Sequence, residues 1–218
     1  MDNEFKRVKL FEQAKSQCLS REDLSRKGSI DEPIRPLVEI MNSCRNYYTT
    51  STCSGRISLI EKPRDNPAVK KGGNFLLNSH EKINFEKFHD LIETSRNANS
   101  SEQDHQNNTN TCVWLKFEPF IMHVQCLDLE ASQNLLRVAL GAGCRNSGTT
   151  FGKAEKFLVA VRSTSSMEVP IYCPDEFELD QSYIRFLVNE CNRRLQENFE
   201  RLERFQNNFE SILKRSSN

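Results

Sequence analysis

Apolar residues recur every three or four positions in some stretches and alternate or run together in others. That contrast divides the chain into helices and strands. Phe5, Val8, Phe11, Ala14 and Cys18 step along one face of an amphipathic opening helix. A polar break at residues 23–29 follows. Ser29 and Glu32 have the spacing of a capping box, and Pro33 is tolerated in a first turn. A second helix is predicted over residues 31–44, with Ile34, Leu37, Val38 and Met41 on one face. Residues 47–51 and 56–61 read as two strands joined across a turn at Cys53. Residues 62–73 are rich in Pro, Lys, Asn and Gly and read as a loop. Residues 74–80 read as a buried strand with a polar exit, and residues 85–94 as a helix. Residues 96–111 hold Asn, Ser, Gln and Asp with almost nothing apolar. Such a segment cannot repay the entropy of ordering, so a flexible insertion is expected there.

Residues 112–118 and 120–126 are strand-like, with Pro119 marking a bulge or an edge. In the second piece Phe120, Met122 and Val124 face one way, His123 and Gln125 the other. Asp128 can cap a helix through about residue 142, with Gly141 or Gly143 to end it. Residues 143–148 form a second polar, glycine-bounded loop. Residues 157–161 are continuously apolar, as in a central strand covered on both faces. Pro170 and Pro174 bracket a short edge piece. From residue 180 to about 214 one helical stripe runs through Ile184, Leu187, Cys191, Leu195, Phe199, Leu202, Phe205, Phe209 and Ile212, uninterrupted by Gly or Pro. It can dock on the sheet or pair with the first helix. A polar stretch leading into a strand, after a helix, occurs at 53–56 and again at 145–148, which allows an internal duplication.

Composition narrows the class. A chain of 218 residues holds one sizeable domain or at most two small ones. A hydrophobic fraction of 37% and a charged fraction of 28% fit a soluble globular protein. The longest apolar runs, such as 158–161, are too short to span a bilayer, and the opening residues lack the apolar segment of a secretory signal. Thirty Lys and Arg balance thirty Asp and Glu, so any nucleic-acid surface must be a local patch. Eight cysteines form no C-x-x-C pair and lie at no finger-like spacing from a histidine. They read as buried, reduced thiols of a cytosolic protein rather than disulfides or a zinc site; an exported, disulfide-linked protein is the alternative.

Candidate chemistry gathers at the run Thr49-Thr50-Ser51-Thr52-Cys53-Ser54-Gly55-Arg56. Hydroxyls and a guanidinium around a glycine can hold an anion, or simply form an ordinary Ser/Thr turn. Cys53 is either a nucleophile with a lowered pKa or a small structural thiol. His80 and His123 are each a general base, a substrate holder or a hydrogen-bonded structural histidine. No His pair has metal-ligand spacing with a carboxylate, so no metal is expected. Trp114 can stack on a base or fill the core, with Lys116 and Glu118 on its strand face. Arg145 and Lys153 flank the Asn146-Ser147-Gly148 turn and meet phosphates or solvent. Mixed charges on the last helix suit local ion pairs. Neither a dinucleotide-binding glycine fingerprint after a strand nor a P-loop is present.

As an ordered set these segments resemble the tRNA wybutosine-synthesizing protein 3 family. The resemblance is carried by Asp23-Leu24-Ser25-Arg26-Lys27-Gly28-Ser29, Ser51-Thr52-Cys53-Ser54-Gly55-Arg56, Phe75-Leu76-Leu77 with Ser79-His80, Leu115-Lys116-Phe117-Glu118-Pro119-Phe120, His123-Val124-Gln125-Cys126, Arg145-Asn146-Ser147-Gly148, Gly152-Lys153 and Ala160-Val161-Arg162-Ser163-Thr164. It covers the chain from about residue 18 to the end, apart from 96–111. Phe75, Cys144 and Ala154 stand where Trp, an aromatic and a basic residue are usual in relatives.

The resemblance implies a single α+β domain over residues 1–218, a mixed sheet with packed helices, unlike the nucleotide-binding methyltransferase fold. It implies transfer of a methyl group from S-adenosylmethionine to a ring nitrogen of the tricyclic wybutosine precursor at position 37 of tRNA(Phe), in the cytoplasm. On that footing the 51–56 and 145–148 stretches are expected to converge on one cleft. Ser51, Cys53, Gly55, Arg56, Asn146, Ser147 and Gly148 would hold the donor. His80 or His123 would take a proton from, or orient, the target nitrogen. Arg26, Lys27, Lys116, Arg145 and Lys153 would meet the tRNA. A tRNA-binding module without catalysis and a thiol-dependent hydrolase using Cys53 are the competing classes.

Overall fold

Two long strands and one long helix set the architecture. The computed structural model describes residues 2–21, 28–63, 73–100, 111–152, 156–174 and 176–216. The elements are α1 (Asp2–Leu19), a 3-10 turn (Glu32–Ile34), α2 (Arg35–Ser43), β1 (Tyr47–Pro63), β2 (Asn74–Ser79), α3 (Phe85–Ser100), β3 (Thr111–Cys126), α4 (Leu129–Gly141), β4 (Gly148–Gly152), β5 (Lys156–Arg162), β6 (Met167–Cys173), β7 (Phe177–Glu178) and α5 (Gln181–Ser216). The chain divides into two units: Met1–Ser54, Phe120–Thr164 and Asn198–Asn218 form the first, Gly55–Pro119 and Ser165–Glu197 the second. β1, β3 and α5 each contribute one part to each unit.

In the first unit the strand order is β1-β3-β5-β4. β3 and β5 pair antiparallel from Ile121 opposite Arg162 to Cys126 opposite Phe157. The expected alternation holds as far as Val124: Phe120, Met122 and Val124 are buried and His123 is half-exposed, whereas Gln125 is buried and donates to the Phe157 carbonyl at 3.0 Å. Behind the apolar face lies a core of Ile34, Leu37, Val38 and Met41 from α2, Leu135 and Val138 from α4, and Leu202, Phe205 and Phe209 from α5. The end of α5 therefore docks on the sheet. α1 seats Phe11 on Tyr48 and Leu127 in a smaller cluster. Asp128 caps α4 by accepting the Ala131 amide at 2.8 Å. Gly143 (φ +91°) ends it. Its amide reaches the Leu140 carbonyl and that of Cys144 the Ala139 carbonyl, the paired bonds of a left-handed helix stop.

In the second unit the order is β2-β1-β3-β6-β7, antiparallel in each register described. Here α5 buries Ile184, Leu187, Val188, Cys191 and Leu195. β3 pairs with β6 through residues 113–117 and with β5 through residues 121–126, so Pro119, which has no amide hydrogen to give, sits where the neighbour changes.

Five expectations are corrected. β2 is a strand as expected, but none of its residues is buried. Residues 47–63 form one strand, not two joined at Cys53. Thr and Ser tolerate extended backbone, and Gly55 at φ +97° absorbs the local distortion within the strand. The stretches at 53–56 and 145–148 accordingly occupy unlike places, one mid-strand and one between α4 and β4. Residues 96–100 continue α3, and Thr111 already belongs to β3, so the insertion read at 96–111 is shorter; its centre lies outside the described residues. Arg96 is anchored by Glu93 (2.5 Å) and Glu178, and lies 5.3 Å from the Tyr172 ring centre. Last, Cys112 and Cys173 are bonded, with Cα atoms 4.4 Å apart. The β3–β6 register places them directly opposite, across 61 residues of sequence, a pairing that no local spacing announces.

Asn198 of α5 closes the interruption in β1. Its buried amide accepts the Phe120 N–H at 2.7 Å and donates to the Ser54 carbonyl at 2.8 Å, while the Asp31 carboxylate takes the Ser54 N–H at 2.9 Å. Asn198→Ala is expected to strand two buried backbone groups at a cost of about 2–4 kcal/mol. Urea unfolding followed by circular dichroism should show the loss as a lower midpoint with an unchanged slope.

Candidate functional site

Register brings four polar residues of the first unit together. Ile121 lies opposite Arg162 and His123 opposite Ala160, so His123 and Arg162 are diagonal neighbours on the sheet face away from the core. An Arg162 Nη2 hydrogen reaches His123 Nε2 at 3.0 Å. A guanidinium can only donate, so Nε2 accepts and Nδ1 carries the imidazole proton. Nδ1 then donates to Ser51 Oγ at 2.8 Å. Thr50 Oγ1 adds a bond to the His123 carbonyl at 3.2 Å. Ser147, in the turn before β4, accepts the Arg162 amide at 2.9 Å and donates to the Cys144 carbonyl at 2.7 Å.

Ser51, His123 and Ser147, three residues singled out from sequence, thus converge on a fourth, Arg162, that was not. Arg162 was legible only as part of the Val161-Arg162-Ser163 run after an apolar strand. Both ring nitrogens of His123 are engaged, and partial burial together with the Arg162 charge holds its pKa below the ordinary histidine value. Asn146 and Arg145 are exposed in the same turn, and Gly148 opens β4 opposite Ala160. Cys53 is half-buried in β1.

The second unit holds the other candidates. His80 Nδ1 lies 2.8 Å from the Gly55 carbonyl. A carbonyl only accepts, so Nδ1 bears the proton. The segment after His80 is held by Asn192 of α5, which accepts from the Ile83 N–H and donates to the Ile83 carbonyl, both at 2.9 Å. Arg56 is committed to Glu118, Nε to carboxylate at 2.6 Å, and its guanidinium lies 5.7 Å from the Phe75 ring centre. Lys116 joins Lys62 on Glu168, at 2.9 Å for Lys116. Burial pushes the Glu168 carboxyl up, but those two ammonium groups more than offset it and hold it below the usual range. Lys62 also lies over the half-buried Trp114 ring at 4.7 Å. Arg26, Lys27 and Lys153 lie outside the described residues.

The first unit also has a cavity of about 760 Å³ lined by Tyr47, Asp128, Glu130, Asn134, Arg137 and Asn208, among others. None of Ser51, His123, Ser147 or Arg162 touches it. Its paired carboxylates oppose a nucleic-acid phosphate, and it offers no convergent acid–base pair, so size alone does not make it the site. Among the described residues no helix is long and apolar enough to cross a membrane.

A family model described as Methyltransferase TYW3 matches residues 8–211. The tRNA wybutosine-synthesizing protein 3 homolog of Danio rerio is 41% identical over 196 residues, covering 89% of this chain and 72% of that protein. Its Homo sapiens counterpart is 39% identical over 207 residues, covering 95% and 75%. A solved structure from Pyrococcus horikoshii superposes with a TM-score of 0.75 at 28% identity, covering 92% of this chain and 96% of that one. The class is therefore a methyltransferase built on an antiparallel α+β sheet, outside the nucleotide-binding fold. Within that class the chain belongs to the methyltransferase TYW3 family.

Two outcomes follow from the ionisation pattern. His123 should stay neutral below the ordinary histidine midpoint in an NMR titration, and Arg162→Gln should raise its pKa by removing the adjacent charge. Because the unfolded imidazole protonates first, this residue's contribution is full above about pH 6.5 and declines as pH falls below it. Burial raises the Cys126, Cys144 and Cys191 thiols to about 12, 11 and 12. In the native protein at pH 8 iodoacetamide should spare all three, and in urea it should label them, as read by mass spectrometry.

Proposed function

We propose that this chain methylates a ring nitrogen, N4, of the tricyclic wybutosine precursor at position 37 of tRNA(Phe), acting as a single cytoplasmic methyltransferase domain with S-adenosylmethionine as donor. Family membership supports the class, and the names of the animal relatives support the pathway. The observation that carries the reading is the Ser51–His123–Arg162–Ser147 cluster: hydroxyls, an imidazole and a guanidinium held together on an open sheet face. That donor set fits a small zwitterionic ligand with an anionic end.

When bound, S-adenosylmethionine supplies a methyl group on a cationic sulfur, which leaves without acid assistance. The protein's task is then alignment, exclusion of water and removal of the proton from the target nitrogen. His123 has both nitrogens engaged and serves to orient. Arg145 and Asn146, exposed beside the cluster, are assigned to the RNA backbone, where neutralised phosphates supply much of the affinity.

Bulk tRNA nucleosides from cells lacking the protein should accumulate a modified guanine one methyl lighter than the next intermediate, by mass analysis. Purified protein with labelled S-adenosylmethionine and that tRNA should restore the missing mass. Tight tRNA binding without donor binding or transfer would instead identify a non-catalytic RNA module.

A further inference from the structure

Several described arginines face carboxylates: Arg35 on Glu32, Arg56 on Glu118, Arg96 on Glu93, Arg185 on Glu86, Arg193 and Arg194 on Glu190, while Arg137 donates to the Asn134 amide oxygen. Arg162 differs. Its described side-chain partner is a neutral imidazole nitrogen, which directs the guanidinium without neutralising it. The support is layered: Ser147 fixes the Arg162 backbone, His123 fixes the head group, and Ser51 and Thr50 fix His123. One hydrogen of Nη2 is used and the rest of the fork points to no described partner. A pre-oriented planar fork suits one carboxylate in a defined pose; contacts to an RNA backbone ask only for charge.

We propose that Arg162 binds the carboxylate of the methyl donor's amino acid end, and that His123, Ser51 and Ser147 are positioning residues acting through it. This rests on the donor reading above. The assignment displaces Arg56, whose charge already faces Glu118 through Nε.

The test is calorimetric titration of the full chain with S-adenosylhomocysteine, which keeps the amino acid end, and with 5′-methylthioadenosine, which lacks it. The wild-type protein should prefer S-adenosylhomocysteine. Arg162→Gln should weaken S-adenosylhomocysteine about tenfold or more, the scale of a charge-assisted bond, and leave 5′-methylthioadenosine unchanged. Arg162→Lys should recover part of the loss. His123→Asn should show the same selectivity, and the double variant with Arg162→Gln should lose no more than the single one. A merely structural role for His123 would weaken both ligands and lower the melting temperature. Equal wild-type affinity for the two ligands, an unaltered Arg162→Gln, or an Arg162→Gln that loses only tRNA binding each overturns the assignment while leaving the donor reading intact. A wild-type protein that binds neither ligand overturns both.

Discussion

Asn198 answers a problem that the strands create for themselves. β1 passes through Ser54 and Gly55, where a positive φ breaks the regular ladder, and β3 passes through Pro119, which has no donor. A buried backbone group left unpaired there costs about 1–3 kcal/mol. The Asn198 amide supplies one donor and one acceptor from a helix, and Asp31 supplies another acceptor, so side chains complete what neighbouring backbone does not. Asn192, six residues earlier on the same helix, does the same for the Ile83 backbone after His80. α5 is therefore more than an apolar stripe. Two of its amides hold the irregular segments on which candidate site residues sit.

Once the ladder is secured, the pleat sorts the first unit's sheet into a buried face and an open one. Phe120, Met122, Val124, Val159 and Val161 fill the core, and the alternate positions of the same strands carry His123 and Arg162. No loop has to fold over to assemble the pair. A slip of one residue in β3 would send His123 into the core and Met122 to solvent, so the apolar pattern that fixes register also fixes the site's geometry.

Elements written in local patterns could be read directly: the α2 and α5 stripes, the alternation through 120–124, the Asp128 cap and the Gly143 stop. What escaped depended on partners distant in sequence. Thr-Thr-Ser-Thr-Cys-Ser-Gly has turn chemistry, and only pairing and the Asn198 and Asp31 side chains show why it stays extended. Arg96 looks like the start of a disordered run until Glu93, Glu178 and Tyr172 are set around it. Cys112 and Cys173 become neighbours only through the β3–β6 register. Ser51, His123 and Ser147 stood out as residue types that bind ligands, but a lone arginine at a strand end, after five apolar residues, carries no comparable signal.

The choice of partner explains why Arg162 differs from Arg56. A carboxylate beside a guanidinium orients it and cancels its charge, as Glu118 does for Arg56. An imidazole orients it and leaves the charge in place, provided the ring stays neutral. Proximity enforces that condition: a proton on His123 would put two cations within hydrogen-bonding distance, and the depressed pKa records the cost. Ser51 completes the logic by accepting the Nδ1 proton, which leaves Nε2 free of hydrogen and aimed at Arg162. Among the described residues no carboxylate is bonded to Arg162, so the cluster holds its positive charge in a fixed direction on an exposed surface. Such a charge gains most from an anion that arrives with its own geometry, which is what separates a ligand carboxylate from bulk counterions.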